Sequence, residues 1–291
     1  MSGSTWMGVV ACLGALTIAG CGSGGDEDAL PTATPEPGAI YSLAVDPADG
    51  AIMIGTGAAF YRVDGAGKAQ ALSPTMTAPQ GKGPVKDLVI RFTGPRTLVA
   101  SGHAAEPGLP TNIGLASSSD QGKTWTPVSG IDEFDYHELE VHSGRLFAFP
   151  EDGSIQVSQD GGRTFAAREA PSASPPLDIA VNPADPAHWV VSNQSGTFTS
   201  TNEGRSWRQR DTTSSPRLVW TSTGKLFAVG LDGTVRHSAD GGRTWTEKGK
   251  LGGGPKEVAA APDGTLYAIT AGGKVHRSPD GVRWQPVTQV T

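Results

Sequence analysis

The chain has 291 residues, of which 40 are Gly and 22 are Pro, a composition that interrupts helices and argues against a helical bundle or a coiled coil. Charged residues make up 18% and hydrophobic residues 37%, enough apolar content for a core and too much for a disordered chain. The formal net charge is −6, and Asp26, Glu27, Asp28 and Glu36 account for four of those charges, leaving −2 on residues 39–291. With no basic stripe to neutralise phosphates, the sequence predicts no nucleic-acid partner.

In chain order, residues 6–20 (WMGVVACLGALTIAG) form an apolar run, which as a helix would span only about 22 Å. That is short for a membrane crossing and fits the core of an export signal over residues 1–20. Ile18-Ala19-Gly20-Cys21 resembles a bacterial lipobox. The resemblance implies lipidation of Cys21 and a protein anchored to the cell membrane, facing outside the cytoplasm. The start, MSGSTW, lacks the Lys or Arg usual in front of such a segment. Residues 21–38, rich in Gly, Pro, Thr and acid, read as a flexible tether. Cys12 and Cys21 are the only cysteines, so the body at 39–291 has no disulfide, thiol nucleophile or cysteine-based zinc site.

The body repeats itself. Ser118-Ser119-Asp120-Gln121-Gly122-Lys123-Thr124-Trp125 recurs with Asp160 and Phe165, with Asn202 and Trp207, with Asp240 and Trp245, and in a shorter copy with Asp280 and Trp284. The leading serines, at 118, 158, 200, 238 and 278, lie about forty residues apart. A worn copy runs from Arg62 to Lys68. The acidic or amide residue is suited to accept turn N–H groups, Gly supplies positive φ, and the aromatic residue opens the next strand against a neighbouring unit.

Each unit also has an earlier half that alternates like two strands, as in Leu177–Pro183 and Trp189–Ser192, followed by a third strand leading into the turn. Four strands in about forty residues is the size of a propeller blade. First strands starting at Ile40, Val85, His137, Leu177, Leu218 and Glu257 predict one all-β domain over 39–291 with six four-stranded blades, the alternative being seven. The last blade is expected to supply its own fourth strand from Trp284 to Val290.

The turn pattern resembles the Asp box of BNR-repeat proteins. The resemblance implies a structural, peripheral role for Asp120, Asp160, Asn202, Asp240 and Asp280. Sialidases share such boxes, but their chemistry needs a converging Arg triad, and the nearest marker here, Thr93-Gly94-Pro95-Arg96, has its order reversed. Arg163, Arg205, Arg243 and Arg283 fall within the turns. True sialidase activity is not expected.

A second constellation is a better candidate for chemistry. Ala100-Ser101-Gly102-His103 ends a strand before the longest insertion, His103–Asn112, and the next unit opens with Asp135-Tyr136-His137-Glu138-Leu139. In adjacent blades these ends can meet at the channel, bringing His103, Asp135 and His137 together as a general base, a ligand clamp or a metal site, with the metal and any cofactor left unknown. Strict alternation predicts Asp135 and His137 on the side of Leu139, with Tyr136 and Glu138 on the other. His142, His188, His237 and His276 are expected to be surface or turn residues. The stretch from Ser101 to Phe165 resembles bacterial BNR proteins grouped as glycosyl hydrolases, with Ala104 and Tyr136 departing from their pattern. The resemblance implies a monomeric propeller that binds, or binds and hydrolyses, a glycan or another small polar ligand. The alternative is a scaffold for assembling membrane or envelope complexes, similar to the photosystem II assembly factor.

Overall fold

The computed structural model describes residues 38–150, 152–214 and 216–290, which lie in one compact unit. The export signal, Cys21 and most of the tether fall outside the described residues. Among those described, all regular secondary structure apart from turns is β, and no helix is long and apolar enough to cross a membrane.

The first sheet contains β1 (Ile40–Val45), β2 (Ile52–Thr56), β3 (Phe60–Val63) and β4 (Ala69–Leu72), in that order. Next come β5 (Thr75–Ala78), β6 (Gly81–Gly94), β7 (Thr97–Ala104), β8 (Leu115–Ser118) and β9 (Thr124–Ser129), which form one closed sheet. Four four-stranded sheets follow. They are β10 (Glu138–His142) to β13 (Ala166–Arg168) through β11 (Arg145–Phe149) and β12 (Ile155–Ser158), then β14 (Asp178–Asn182) to β17 (Arg208–Asp211) through β15 (Asp185–Asn193) and β16 (Gly196–Ser200). The last two are β18 (Arg217–Trp220), β19 (Leu226–Val229), β20 (Thr234–Ser238), β21 (Thr246–Lys250), and β22 (Pro255–Ala260), β23 (Leu266–Thr270), β24 (Lys274–Ser278), β25 (Gln285–Gln289).

Each four-stranded sheet is an antiparallel meander whose first strand is innermost and whose fourth is the outer edge, and in the closed sheet β6 takes the inner place. The first strands β1, β6, β10, β14, β18 and β22 are neighbours in sequence, and β22 returns to β1, closing a ring around a central channel. This is a propeller-like arrangement with five four-stranded sheets. The predicted six four-stranded blades are not what the chain forms, and neither are seven. The difference lies in residues 75–84, read from sequence as a connection. They form a hairpin in which Thr75 pairs with Pro84, while β5 also runs parallel to β9 through Thr75–Thr124 and Met76–Trp125. Met76, fully buried, joins Trp125 and Phe60 in the core, and this apolar anchor draws β5 across the open edge.

The core lies between sheets rather than within any one of them. Trp125 is buried with Met53 and Phe60 of the first sheet, Trp207 packs on Phe147 and Trp189, and Trp245 packs on Ala180 and Leu218. The aromatic after each repeated turn therefore cements neighbouring units. Only Trp125 is fully enclosed; Phe165, Trp207, Trp245 and Trp284 are part-buried. Leu43, Ile54 and Val63 meet Ile269, Val275 and Val290, so the ring closes by side-chain packing between two complete sheets, the last using its own fourth strand.

Candidate functional site

The repeated turns join the third and fourth strands, at the outer side of each sheet. In the first copy, Asp120 Oδ1 accepts from the backbone N–H of Lys123 at 3.1 Å and of Thr124 at 2.9 Å, and from the Ser118 hydroxyl at 2.8 Å. Gly122 N donates to Ser118 Oγ at 2.9 Å. Asp160, Asp240 and Asp280 repeat the arrangement with their own turns, and Asn202 accepts from Ser206 N at 3.0 Å. A Cβ at Gly122 would lie 2.6 Å from Phe60 Cε1, so the turn can seat against the preceding sheet only with glycine there. The turn bonds hold the Asp240 carboxyl down to about 2. These groups are occupied by their own backbone and lie away from the channel.

The channel mouth is different. Asp135 Oδ2 lies 3.2 Å from His103 Nε2 and 3.1 Å from His137 Nε2, so one carboxylate oxygen joins two imidazoles from adjacent units. The Tyr136 backbone N–H, between them in sequence, donates to the buried Ser101 hydroxyl at 3.1 Å, pinning the segment to β7. Asp87, on β6, faces the other edge of the His103 ring, with Oδ2 at 3.6 Å from Nδ1. Tyr41 on β1 lies within electrostatic reach of Asp87 and Asp135. The hydrogen bond to Asp135, and then the neighbouring Asp87 carboxylate, push the His103 imidazolium up to about 9. Burial works against the charged form of Asp135, but the bonds from His103 and His137 outweigh it and hold the carboxyl far below the usual carboxylate range.

Local geometry here departs from simple alternation. The strand begins only at Glu138, and Tyr136 is packed with Leu139 in the same buried cluster. Asp135 and His137 meet through Asp135 Oδ2, but it is Tyr136, rather than they, that shares the buried side of Leu139, contrary to strict alternation. Among the described residues no group of three or more His, Cys, Asp or Glu is arranged to hold a metal ion. The converging ring nitrogens are both turned onto Asp135 Oδ2.

Below the mouth, the channel is filled by charges that sequence reasoning missed. Arg91 donates to Glu140 at 2.8 Å, to Glu138 at 2.6 Å and to Glu257 at 3.0 Å, and Arg217 bonds Glu138 at 2.7 Å and Glu257 at 2.8 Å. Asp178 accepts from Leu218 N at 2.9 Å, while its second oxygen is buried without a hydrogen-bond partner. Four carboxylates thus face two guanidinium groups. Desolvation pushes Glu257 up to about 8 and drives Asp178 well above the usual carboxylate range. Glu140 resists the same desolvation because Arg91 and His142 hold it down to about 2. The signal was present in the sequence as single charges inside apolar first strands, in Val-Ile-Arg91, Glu138-Leu-Glu140, Leu-Asp178-Ile, Arg217-Leu-Val and Glu257-Val.

Two of the remaining histidines also differ from expectation. His142 lies 3.4 Å from Glu140 and helps line a cavity of about 350 Å³ at the far end of the channel, with Arg91, Phe92 and Trp220. His188 is buried within β15 and packs edge-on against Trp220, with ring centroids 5.2 Å apart. Arg96 sits at the tip of the β6–β7 hairpin, and the two channel arginines are neutralised by carboxylates, so Arg91, Arg96 and Arg217 form no anion-binding triad. Phe134, Leu231 and Val282 are the large exposed hydrophobic side chains among the described residues, each on a separate loop.

Sheets radiating from a ring of first strands, with a polar mouth at one end of the channel, define a β-propeller. No known family pattern and no curated protein sequence matches the chain. Among solved structures it is similar to virginiamycin B lyase from Staphylococcus aureus, with TM-score 0.54 and 15% identity over 85% of this chain and 83% of that one. It is also similar to a Thermus thermophilus protein assigned as an oxidoreductase of the glucose dehydrogenase type, with TM-score 0.56 and 16% identity over 82% of this chain and 92% of that one. An ancestral GH74 enzyme gives TM-score 0.55 and 12% identity over 88% of this chain, which spans 39% of that enzyme. The lyase and the GH74 enzyme are β-propeller proteins, and likeness at these identities establishes the fold alone.

Proposed function

We propose that this protein is an exported, lipid-anchored β-propeller of the BNR, glycosyl-hydrolase-like group that binds a glycan or another small polar ligand at the His103, Asp135 and His137 mouth. In this reading the closed five-stranded sheet takes the place of a sixth blade, and the protein acts as a monomer. The observation that carries it is the convergence of two imidazoles on one Asp135 oxygen at the channel rim, with the buried Asp87 behind them. The chemistry favours binding over hydrolysis. His103 stays protonated to about 9 and Asp135 stays ionised, so neither is a base or acid poised near neutral pH. The large exposed hydrophobic side chains, Phe134, Leu231 and Val282, each lie on a different loop, which lends the scaffold reading little support.

The test is binding to a glycan array, followed by calorimetry on the glycans retained, with His103→Ala, His137→Ala and the double variant. Losses well short of additive are expected, because both rings act through Asp135. Additive losses, or retention by the variants at full affinity, would discard the site and favour the scaffold. Elemental analysis is expected to find no metal before or after either substitution. For the anchor, Cys21→Ala is expected to release the protein from the membrane fraction with loss of lipid mass.

A further inference from the structure

Both oxygens of the Asp87 carboxylate are buried without a hydrogen-bond partner, and so is His103 Nδ1 beside them. A buried carboxylate left without hydrogen bonds costs free energy. The backbone that presents it is also unfavourable. Asp87 has φ 56°, in the left-handed region, and β6 slips register against β7 between Lys86 and Val89. This bulge depends on the facing strand. A Cβ at Gly102 would lie 2.7 Å from the Lys86 carbonyl oxygen and 3.0 Å from that of Asp87, so only glycine allows the two strands to approach. Strain, bulge and buried charge all occur at one residue, and their common product is a carboxylate on the Nδ1 edge of His103.

We propose that Asp87 is a positioning residue that clamps His103 from its Nδ1 edge, keeping the ring a charged donor whose Nε2 edge stays on Asp135 and thereby fixes the Asp135–His137 pair for ligand. The inference rests on the ligand-binding reading above, and it adds a consequence for recognition. With Nε2 on Asp135 and Nδ1 facing Asp87, both edges of the His103 ring are turned onto carboxylates rather than towards a ligand. His137 is the more exposed of the two rings, at 63% against 29% for His103. The groups facing His103 and its clamp are Asp87 and Lys86 from β6, Asp135 and His137 from the segment before β10, and Tyr41 from β1. Lys86 Nζ, 3.6 Å from Asp87 and half exposed, shares that carboxylate with the imidazolium and sits on its solvent side.

The experiment is a titration of the His103 ring C–H resonance by NMR from pH 5 to 11, in the full chain and without ligand. The wild-type midpoint is expected near 9. Asp87→Asn should lower it by about one pH unit or more, because a charged partner is replaced by a neutral one of the same shape. An unmoved midpoint in folded Asp87→Asn overturns the clamp and leaves the ligand reading intact. A lowered midpoint in a protein whose wild type retains no glycan supports the clamp and overturns the ligand reading alone. Should Asp87→Asn fail to fold, Asp135→Asn answers the same question from the other side. With only Asp87 left, the midpoint should stay above the ordinary 6.5 despite burial, which pulls it down; a fall to 6.5 or below would show that Asp87 does not outweigh burial and would overturn the clamp.

Discussion

The channel charges make a quantitative prediction for Glu257→Gln. Glu257 is 2% exposed and receives Arg91 at 3.0 Å and Arg217 at 2.8 Å, yet burial and the neighbouring carboxylates push it from 4.5 up to about 8. A raised native pKa means that the folded state binds this proton more tightly than the unfolded chain does. Its contribution is therefore fully present below the unfolded value of 4.5 and is lost as pH rises through about 8. At about 1.36 kcal/mol for each pH unit, the upper bound on that loss is about 5 kcal/mol, and water entry and relaxation leave about half of it or less in practice. Glutamine mimics the protonated carboxyl in shape and charge and cannot titrate. Denaturant unfolding from pH 5 to 9 should find the variant within about 1 kcal/mol of wild type at pH 5, and more stable than wild type by about 1–3 kcal/mol near pH 8.5. Asp178 titrates in the same direction, so some alkaline loss persists in the variant. A constant deficit of about 3–5 kcal/mol at every pH, as expected for breaking a fully ionised buried pair, would refute the idea that the channel holds protons.

The repeated turns give two further contrasts. Trp125→Ala should cost about 3–5 kcal/mol by emptying a fully buried site shared by two units, whereas part-buried Trp245→Ala should cost about 1–3 kcal/mol, both read as shifts in the denaturant midpoint. Equal costs would mean that burial does not set the contribution of these aromatics. Asp240→Ala removes the acceptor for Arg243 N and Thr244 N and should cost about 1–2 kcal/mol, leaving glycan retention unchanged. Loss of retention at an unchanged thermal midpoint would instead give the turns a direct part in binding.

Much of the architecture was legible because it repeats. A local turn needs an acceptor, a glycine and an aromatic at fixed offsets, and five copies about forty residues apart reveal a meander of four strands per unit without any knowledge of which units touch. The same locality let Asp135 and His137 be grouped, since they are two residues apart, and let His103 be placed at a strand end beside them. What failed were features that depend on neighbours distant in sequence. Strand β5 exists because Met76 finds Trp125 and Phe60, which lie 49 and 16 residues away, and no local pattern in Thr75–Pro84 announces that pairing. Arg91 and Glu257 are 166 residues apart, and their apolar flanks mark each as unusual without naming a partner, which only the ring of first strands supplies. Asp87 is likewise silent in sequence, because a register slip and the close approach of Gly102 set its direction. The sequence alone determined the repeat, the turn chemistry and the number of strands in a repeated unit. Ring closure decided which charges are buried and paired, because burial and ion pairing depend on side chains that only the tertiary fold brings within a few ångströms.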